Sequence, residues 1–413
     1  MTSDFAEDAV ASPAIIATCA DTLGHNDPLR IARAAVKEQT PPVYKIVLTG
    51  GPCAGKTTAL TRMSQHYRGK GFLVFTVPEA ATSLFNNGVS LKALGDPATR
   101  FAFQWSILSL QMTLEDGFER VARASGQPSI LFCDRGLMDG SVYMPADEWA
   151  DLVKANGMDE LKLRDGRYDA VLHLVTAACG AEEHYSLDNN EARSEDAELA
   201  RDVDKRTEAV WLGHPRHFTF DNSTDFEPKL DRVATTVSRL VGLPCRPRKL
   251  GKFLLAQPPP PPEEFPVRAE AFQAEKTFLQ KNDVGENDGR AVEILPELDG
   301  PASCISSESF LEKRGRQGEL RLFLFEMKTI SSYDDGTVAE VTRRLSAEEY
   351  EAIESQRKDQ ARQKVSQLRV SFLWASQAFE LQTDVKPAYG TSVLYRRSEG
   401  GELLLPPFLK VDE

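Results

Sequence analysis

The run Gly50-Gly51-Pro52-Cys53-Ala54-Gly55-Lys56-Thr57, continued by Thr58, limits what this chain can fold into more than any other stretch. It fits the pattern GxxxxGK[ST] and stands directly behind the apolar Ile46-Val47-Leu48. A strand, a glycine loop and a helix form the local context in which successive backbone amides curl around one anion. Lys56 then reaches the terminal phosphates, and Thr57 offers its hydroxyl to a magnesium ion. Residues 50–58 are therefore the expected nucleotide-binding residues, with GTP or ATP and Mg2+ as the expected cofactors. Whether the nucleotide is hydrolysed, transferred or sensed is open at this level.

A chain of 413 residues has room for two or three domains. Its formal charge of −13 argues against general nucleic-acid binding. No apolar run approaches the length of a membrane span. Acidic residues precede the mildly apolar Ala9 to Ala20, where a secretory signal carries positive charge, so residues 1–40 read as a flexible leader. The six cysteines are scattered without a CxxC pair, which favours free thiols and a cytoplasmic protein.

From Tyr44 to Leu243, short apolar runs alternate with longer amphipathic ones, the pattern of an α/β domain with a parallel sheet and helices on both faces. Its expected limits are 41–246. The second apolar run, Gly71 to Val77, ends on Pro78 and Glu79. Such sheets place their chemistry at strand ends, so Glu79 is a candidate catalytic or magnesium-organising carboxylate; a helix N-terminal glutamate complementing the dipole is the other reading. Residues Pro97 to Ala124 form a long helix with one apolar face. Ser129 to Cys133 then runs into Asp134-Arg135-Gly136, where Asp134 would hold magnesium and Arg135 would balance phosphate charge.

The polar segment Gly180 to Arg206 reads equally as a lid over the phosphates or as a solvated helix. His214 and His217 have HxxH spacing, but Pro215 between them and the lack of a further ligand type disfavour a metal site. Asp221 and Asn222 close the strand Phe218-Thr219-Phe220, and Asn222 would lie near the nucleotide base.

Residues 247–266 read as a proline-rich linker containing Pro258 to Pro262, a stiff spacer or a docking site for an SH3 or WW partner. Beyond it, 267–413 changes character to strands and one helix. Glu319 to Ile330 alternates, with Leu320, Leu322, Leu324, Glu326 and Lys328 on one face and Phe323, Phe325 and Met327 on the other. Asp334-Asp335-Gly336 is a hairpin signal, Glu340 to Leu345 a second strand, and Ser346-Ala347-Glu348-Glu349 a capping box. Further strands follow at Gln367 to Trp374, Ala378 to Leu381 and Ser392 to Arg396. The charged strand face is either the solvated side of an antiparallel sheet or the inner wall of a barrel that binds an anion.

Two stretches carry a resemblance. The glycine loop, Glu79, Cys133-Asp134-Arg135-Gly136 and Trp211-Leu212-Gly213-His214-Pro215 resemble the P-loop domain shared by nicotinamide riboside kinases and the TRPL translocation defect protein family. Lys313-Arg314-Gly315, Glu340 to Arg344, Arg369 with Phe372, and Phe379-Glu380-Leu381 resemble that family's second half, a CYTH-like, triphosphate-tunnel domain. The resemblance implies a cytoplasmic GTP-binding regulatory protein, peripheral on membranes, with a phosphoinositide or a membrane cargo protein as partner and a role in membrane-protein trafficking.

The second half departs from catalytic CYTH enzymes. Its opening strand, Glu275 to Gln280, lacks a Glu-x-Glu-x-Lys pattern. Its closing strand ends on Arg396-Arg397, not on paired acids, and Phe310 and Glu312 occupy positions where phosphate-binding arginines are expected. Arg314, Lys328, Arg344 and Arg369 remain as an expected anion site without metal acids, hence as a poor triphosphatase. The alternative functions are a nucleoside or riboside kinase using Glu79, Asp134 and Arg135, or a triphosphate hydrolase in the CYTH-like second half.

Overall fold

Along the first strand, Ile46 and Leu48 face one side and Val47 the other, and all three are fully buried. A strand with both faces apolar must lie inside a sheet covered on both sides. In the computed structural model it does. Residues 41–185, 197–246, 251–280, 304–315, 324–333, 335–375, 377–387, 390–397 and 402–412 are described. The expected leader, Arg193 in the segment read equally as lid or solvated helix, Leu320, Leu322 and Phe323, and Asp334 of the hairpin signal lie outside them.

Strand β1 (Val43–Thr49) runs into the glycine loop and helix α1 (Lys56–Arg68). There follow β2 (Leu73–Val77), α2 (Ala80–Asn86), the 29-residue α3 (Pro97–Ser125), β3 (Ser129–Asp134), α4 (Ala146–Ala155) and α5 (Glu160–Arg164). Then come β4 (Ala170–Leu174), α6 (Ala197–Val210), β5 (His217–Phe220) and α7 (Phe226–Leu240). The five strands form one parallel sheet in the order β2-β3-β1-β4-β5. On one face Ile46, Leu48, Phe132 and Leu172 pack under α1 and α7, through Met63, Tyr67, Leu230 and Val233. On the other, Val47, Leu131, Cys133 and Val171 pack with Leu108, Trp149, Tyr168 and Trp211. The fold class expected from the alternating runs is the one observed.

The remaining strands are β6 (Lys252–Leu254), β7 (Ala269–Phe278), β8 (Cys304–Gly315), β9 (Leu324–Tyr333), β10 (Val338–Leu345), β11 (Val365–Trp374), β12 (Gln377–Lys386) and β13 (Ser392–Arg396), with α8 (Ala347–Arg357) between β10 and β11. They form an antiparallel sheet in the order β10-β9-β8-β7-β11-β12-β13-β6. Strand β6 falls within the stretch read as linker: Lys252 to Leu254 pair with Val393 to Tyr395 as an edge strand. Edge pairing tolerates the neighbouring prolines because one side of the strand needs no donors. Pro262 itself opens a short 3-10 turn, Pro262–Glu264.

One side of the antiparallel sheet is apolar: the Phe372 ring lies 5.3 Å from that of Phe265 and 5.7 Å from those of Phe379 and Phe408. Phe325, Met327, Leu311 and Leu345 pack with Tyr350 of α8. The other side carries Glu312, Arg314, Glu326, Arg369 and Glu380, every one of them buried. Neither reading of this face holds as it stands: the face is buried, not solvated, but among the described residues the sheet ends at β10 and β6 without pairing them to each other, so no barrel closes around it. The parallel-sheet region helps to cover it: Arg344 on β10 donates to the carbonyls of Gly166 and Tyr168, and Cys245 bridges to Val338. The two sheets lie in one compact unit, Val43–Glu413.

Candidate functional site

The glycine loop is shaped by its backbone. Gly50 has φ +140°, and a Cβ placed there would meet the carbonyl oxygen of Leu174 at 2.0 Å, so only glycine fits. Cys53 and Gly55 also take positive φ, and α1 starts at Lys56 with no side-chain cap at Gly55 among the described residues. Its first-turn amides and positive dipole end are thus presented to whatever anion lies before them. Other bonds anchor the loop: Thr176 Oγ1 donates to the Pro52 carbonyl, and the Ala177 amide donates to that of Cys53 at 3.2 Å.

Lys56 Nζ donates to the carbonyls of Gly50 and Gly51, each at 2.9 Å. Burial and the nearby Arg135 pull its pKa down to about 8, against the opposing carboxylates of Asp134, Glu79 and Asp139. Thr57, Glu79 and Asp134 line one groove of about 590 Å³ together with residues of α1 and α2. Burial raises the Asp134 pKa, with Lys56 opposing.

Arg135 turns back from the end of β3 in a left-handed conformation, φ 68°. This uncommon backbone for an arginine lets its Nε donate to Glu79 Oε1 at 2.8 Å and its Nη1 to the Gly50 carbonyl at 3.3 Å. Burial disfavours its charge, yet Tyr143, Glu79, Asp139 and Asp134 outweigh that and hold it firmly protonated. Glu79 also takes the N-cap position of α2, without a side-chain bond to the amides there, and its Oε2 accepts from Thr82 Oγ1 at 2.6 Å. Glu79, Asp134, Arg135, Lys56 and Thr57 are thereby gathered at one sheet edge.

Asn222 is placed differently from a base-reading residue. Its Nδ2 donates to the carbonyls of Thr176 and Cys179, both at 2.8 Å, and its Oδ1 accepts from Lys229 Nζ at 2.7 Å. It ties the loop after β4 to α7. In the segment read equally as a lid or a solvated helix, α6 packs one face inward through Ala200, Val203, Asp204, Thr207 and Glu208. Arg201 and Arg206 donate to the carbonyls of Ala178 and Val142. His214 and His217 are both buried, and burial drives their pKa values down, His217 to about 3. They are neutral core histidines, and among the described residues no cluster of three or more His, Cys, Asp or Glu is disposed to hold a metal.

Three buried acids were not legible as site residues. Asp204 Oδ1 accepts from the Gly51 amide at 2.6 Å and the Thr176 amide at 3.2 Å, beside His173 Nε2 at 3.3 Å. One loop amide is therefore already taken by the protein. Asp139 Oδ2 accepts from Thr49 Oγ1 at 2.7 Å, immediately before the loop. Glu208 accepts from Thr219 Oγ1 at 2.7 Å. The one available signal for Asp204 and Glu208 was their spacing on the inward stripe of α6.

In the second region the four expected anion ligands divide. Arg369 pairs with Glu312 through two bonds, at 3.2 and 3.1 Å, and Lys328 lies 3.3 Å from the same carboxylate. Arg344 is turned to backbone carbonyls of the first region. Arg314 stacks on Phe272 and donates to the Gly213 carbonyl.

Magnesium fits the first site by donor type, since Thr57 and Asp134 supply the hard oxygens it prefers. Two protein donors would leave the rest of the shell to phosphate oxygens and water. A search of curated proteins gives no match. Residues 45–229 match the family model described as an AAA domain, AAA_28; together with the loop geometry this marks a P-loop-type domain, for which nucleotide binding is the implied property.

Proposed function

We propose that the protein is a nucleotide-dependent regulatory binding protein, with a nucleoside triphosphate and Mg2+ in the parallel-sheet region and a phosphate-bearing ligand in the antiparallel one. The observation that carries the reading is the convergence of Lys56, Thr57 and Asp134 on the mouth of a capless α1. Lys56 neutralises the β and γ phosphates, its Nζ moving from the loop carbonyls to phosphate oxygens. Thr57 and Asp134 hold the metal, which neutralises phosphate charge when bound. Arg135, fixed by Glu79, supplies a further positive charge at the same edge. The resemblance favours GTP, a phosphoinositide as the second ligand, and a peripheral role in moving membrane proteins.

A second reading is favoured by Glu79, whose carboxylate stands at the strand end beside Arg135, where the general base of a small-molecule kinase is needed. Calorimetric titration of the full chain with GTP and with ATP, each with and without Mg2+, tests the first reading. Binding strengthened by the metal is expected; no heat with either nucleotide overturns it. Stoichiometric phosphate transfer from the bound nucleotide to a nucleoside would replace it with the second.

A further inference from the structure

The glycine loop has two sides. Toward β3, Thr57, Glu79 and Asp134 share one groove, and Glu79 fixes Arg135 beside them. These are the groups that meet metal and terminal phosphate in the proposed function. On the opposite side the loop is fastened to the segment after β4, where Thr176 Oγ1 donates to the Pro52 carbonyl and the Ala177 amide to that of Cys53. Strand β4 pairs with β5, so the segments that leave these two strands lie side by side. A triphosphate laid along the loop with its γ end at Asp134 directs its ribose and base toward this second side.

Several polar side chains there are already engaged. Asn222 donates to the carbonyls of Thr176 and Cys179 and accepts from Lys229. Asp221 Oδ1 accepts from Ser223 Oγ at 2.6 Å and from Arg232 Nη1 at 3.1 Å, and Thr224 Oγ1 accepts from Arg232 Nη2 at 3.0 Å. These bonds fix the segment that carries the chain into α7, whose first residue is Phe226. The Phe226 ring packs on the loop itself: a Cβ built on Gly55 would meet its Cε2 at 2.5 Å and its Cζ at 2.7 Å. Gly55 stands immediately before Lys56, the phosphate-binding lysine. Helix α7 is held in place by Leu230 and Val233 in the core and by Arg62 of α1, which donates to Glu227 at 2.7 Å. Yet Phe226 is 38% exposed. A lone exposed aromatic is ordinary, but one seated on the backbone of an anion loop, its rotamer limited by that contact, is a preformed stacking surface.

We propose that Phe226 is the platform on which the nucleotide base stacks, which makes it a specificity-determining residue that favours a purine triphosphate over a triphosphate without a base. The inference rests on the nucleotide half of the proposed function and adds to it the group that holds the base. Stacking acts through the π face, which guanine and adenine share, whereas Lys56 and the loop amides act on the phosphates alone. Phe226 therefore strengthens the binding of a nucleotide and leaves that of bare triphosphate as it is.

The test is calorimetric titration of the full chain, native, Phe226→Leu and Phe226→Tyr, with GTP, ATP and inorganic tripolyphosphate, each with Mg2+. Leucine keeps an apolar contact with Gly55 and removes the π face; tyrosine keeps both. The tripolyphosphate binding that counts is the part abolished by Lys56→Ala. In Phe226→Leu, affinity for whichever nucleotide the native chain binds should fall about tenfold or more, with tripolyphosphate affinity unchanged and nucleotide affinity retained in Phe226→Tyr. Native nucleotide affinity in Phe226→Leu overturns the platform. Equal losses for nucleotide and tripolyphosphate overturn it too, since Phe226 would then be a prop of the loop. If tripolyphosphate does not bind at the loop, the two variants decide: loss in Phe226→Leu alone supports the platform, and loss in both or in neither refutes it. If Phe226→Leu fails to fold, crystals of the native chain soaked with a non-hydrolysable GTP or ATP analogue decide: a base stacked on Phe226 supports the platform, and a base held elsewhere refutes it. Failure of the native chain to bind either nucleotide overturns the proposed function and the platform together, whereas nucleotide binding accompanied by any refuting result above removes the platform alone.

Discussion

Trp211 Nε1 donates to Asp139 Oδ1 at 2.6 Å, deep in the core beneath the glycine loop. The other oxygen of Asp139 holds Thr49, whose neighbour is Gly50, and two residues after Trp211 the Gly213 carbonyl accepts from Arg314. One buried indole thus stands between the nucleotide loop and the charged face of the second sheet. Trp211→Phe should cost about 1 to 3 kcal/mol, the penalty of a buried acceptor left without its donor. It should also weaken nucleotide binding, because Thr49 loses a fixed partner. Urea unfolding and nucleotide titration of the variant check both; wild-type values in each would show the bond to be idle.

The same indole sets a steric limit. A Cβ on Gly136 would meet Trp211 Cζ2 at 2.6 Å and Val47 Cγ2 at 3.0 Å. Both neighbours are fully buried, so neither yields easily. Gly136→Ala should therefore destabilise by about 1 to 3 kcal/mol, read as a lowered melting temperature. An unchanged melting temperature would mean that Trp211 has room to move.

Lys56 titrates near pH 8 because burial and Arg135 disfavour its charge. Phosphate favours the charged form, so binding raises this pKa. Above pH 8 the free protein has lost the proton that the complex retains; binding then takes up protons, and affinity falls as pH rises. Calorimetry at pH 8.5 in buffers of different ionisation enthalpy measures the uptake. Binding without proton uptake at that pH would contradict the electrostatics described for Lys56.

Glu312 balances both Arg369 and Lys328, and although burial opposes its charge, those partners hold its pKa far below the ordinary carboxylate range. A depressed carboxylate contributes stability that is complete above its unfolded pKa and is lost as pH falls through the folded value. Glu312→Gln should thus destabilise by about 3 kcal/mol at neutral pH, leaving the buried Arg369 without its paired carboxylate, while the half-buried Lys328 keeps Glu326 at 3.5 Å. The gap between variant and native protein should shrink in strong acid. Equal stability at pH 7 by urea unfolding would show the triad to be dispensable.

Much of the parallel sheet was legible because its strands are short apolar runs ending in residues with backbone meaning, Gly50 after β1 and Asp134 at the end of β3. Glu79, Asp134 and Arg135 could be singled out for the same reason. Asp139 and Asp204 could not, since their partners lie 90 and 153 positions away, and for Asp204 local sequence offered its inward spacing on α6 but no sign of the loop amide it binds. Strand β8 hid behind a serine-rich beginning, Cys304 to Ser309, and β6 behind its prolines. The charged strand face was visible as alternation, but its burial was not, because the cover comes from Gly166, Tyr168 and Gly213 of the other region.

The most direct measurement is the equilibrium affinity of the full chain for Mg2+-GTP and Mg2+-ATP, native against Lys56→Ala, by calorimetry, with circular dichroism to confirm that the variant is folded. Saturable, metal-strengthened binding of at least one nucleotide by the native protein, abolished in a folded Lys56→Ala variant, is the predicted result. Equal affinity in the two proteins would contradict the assignment of the glycine loop as the nucleotide site.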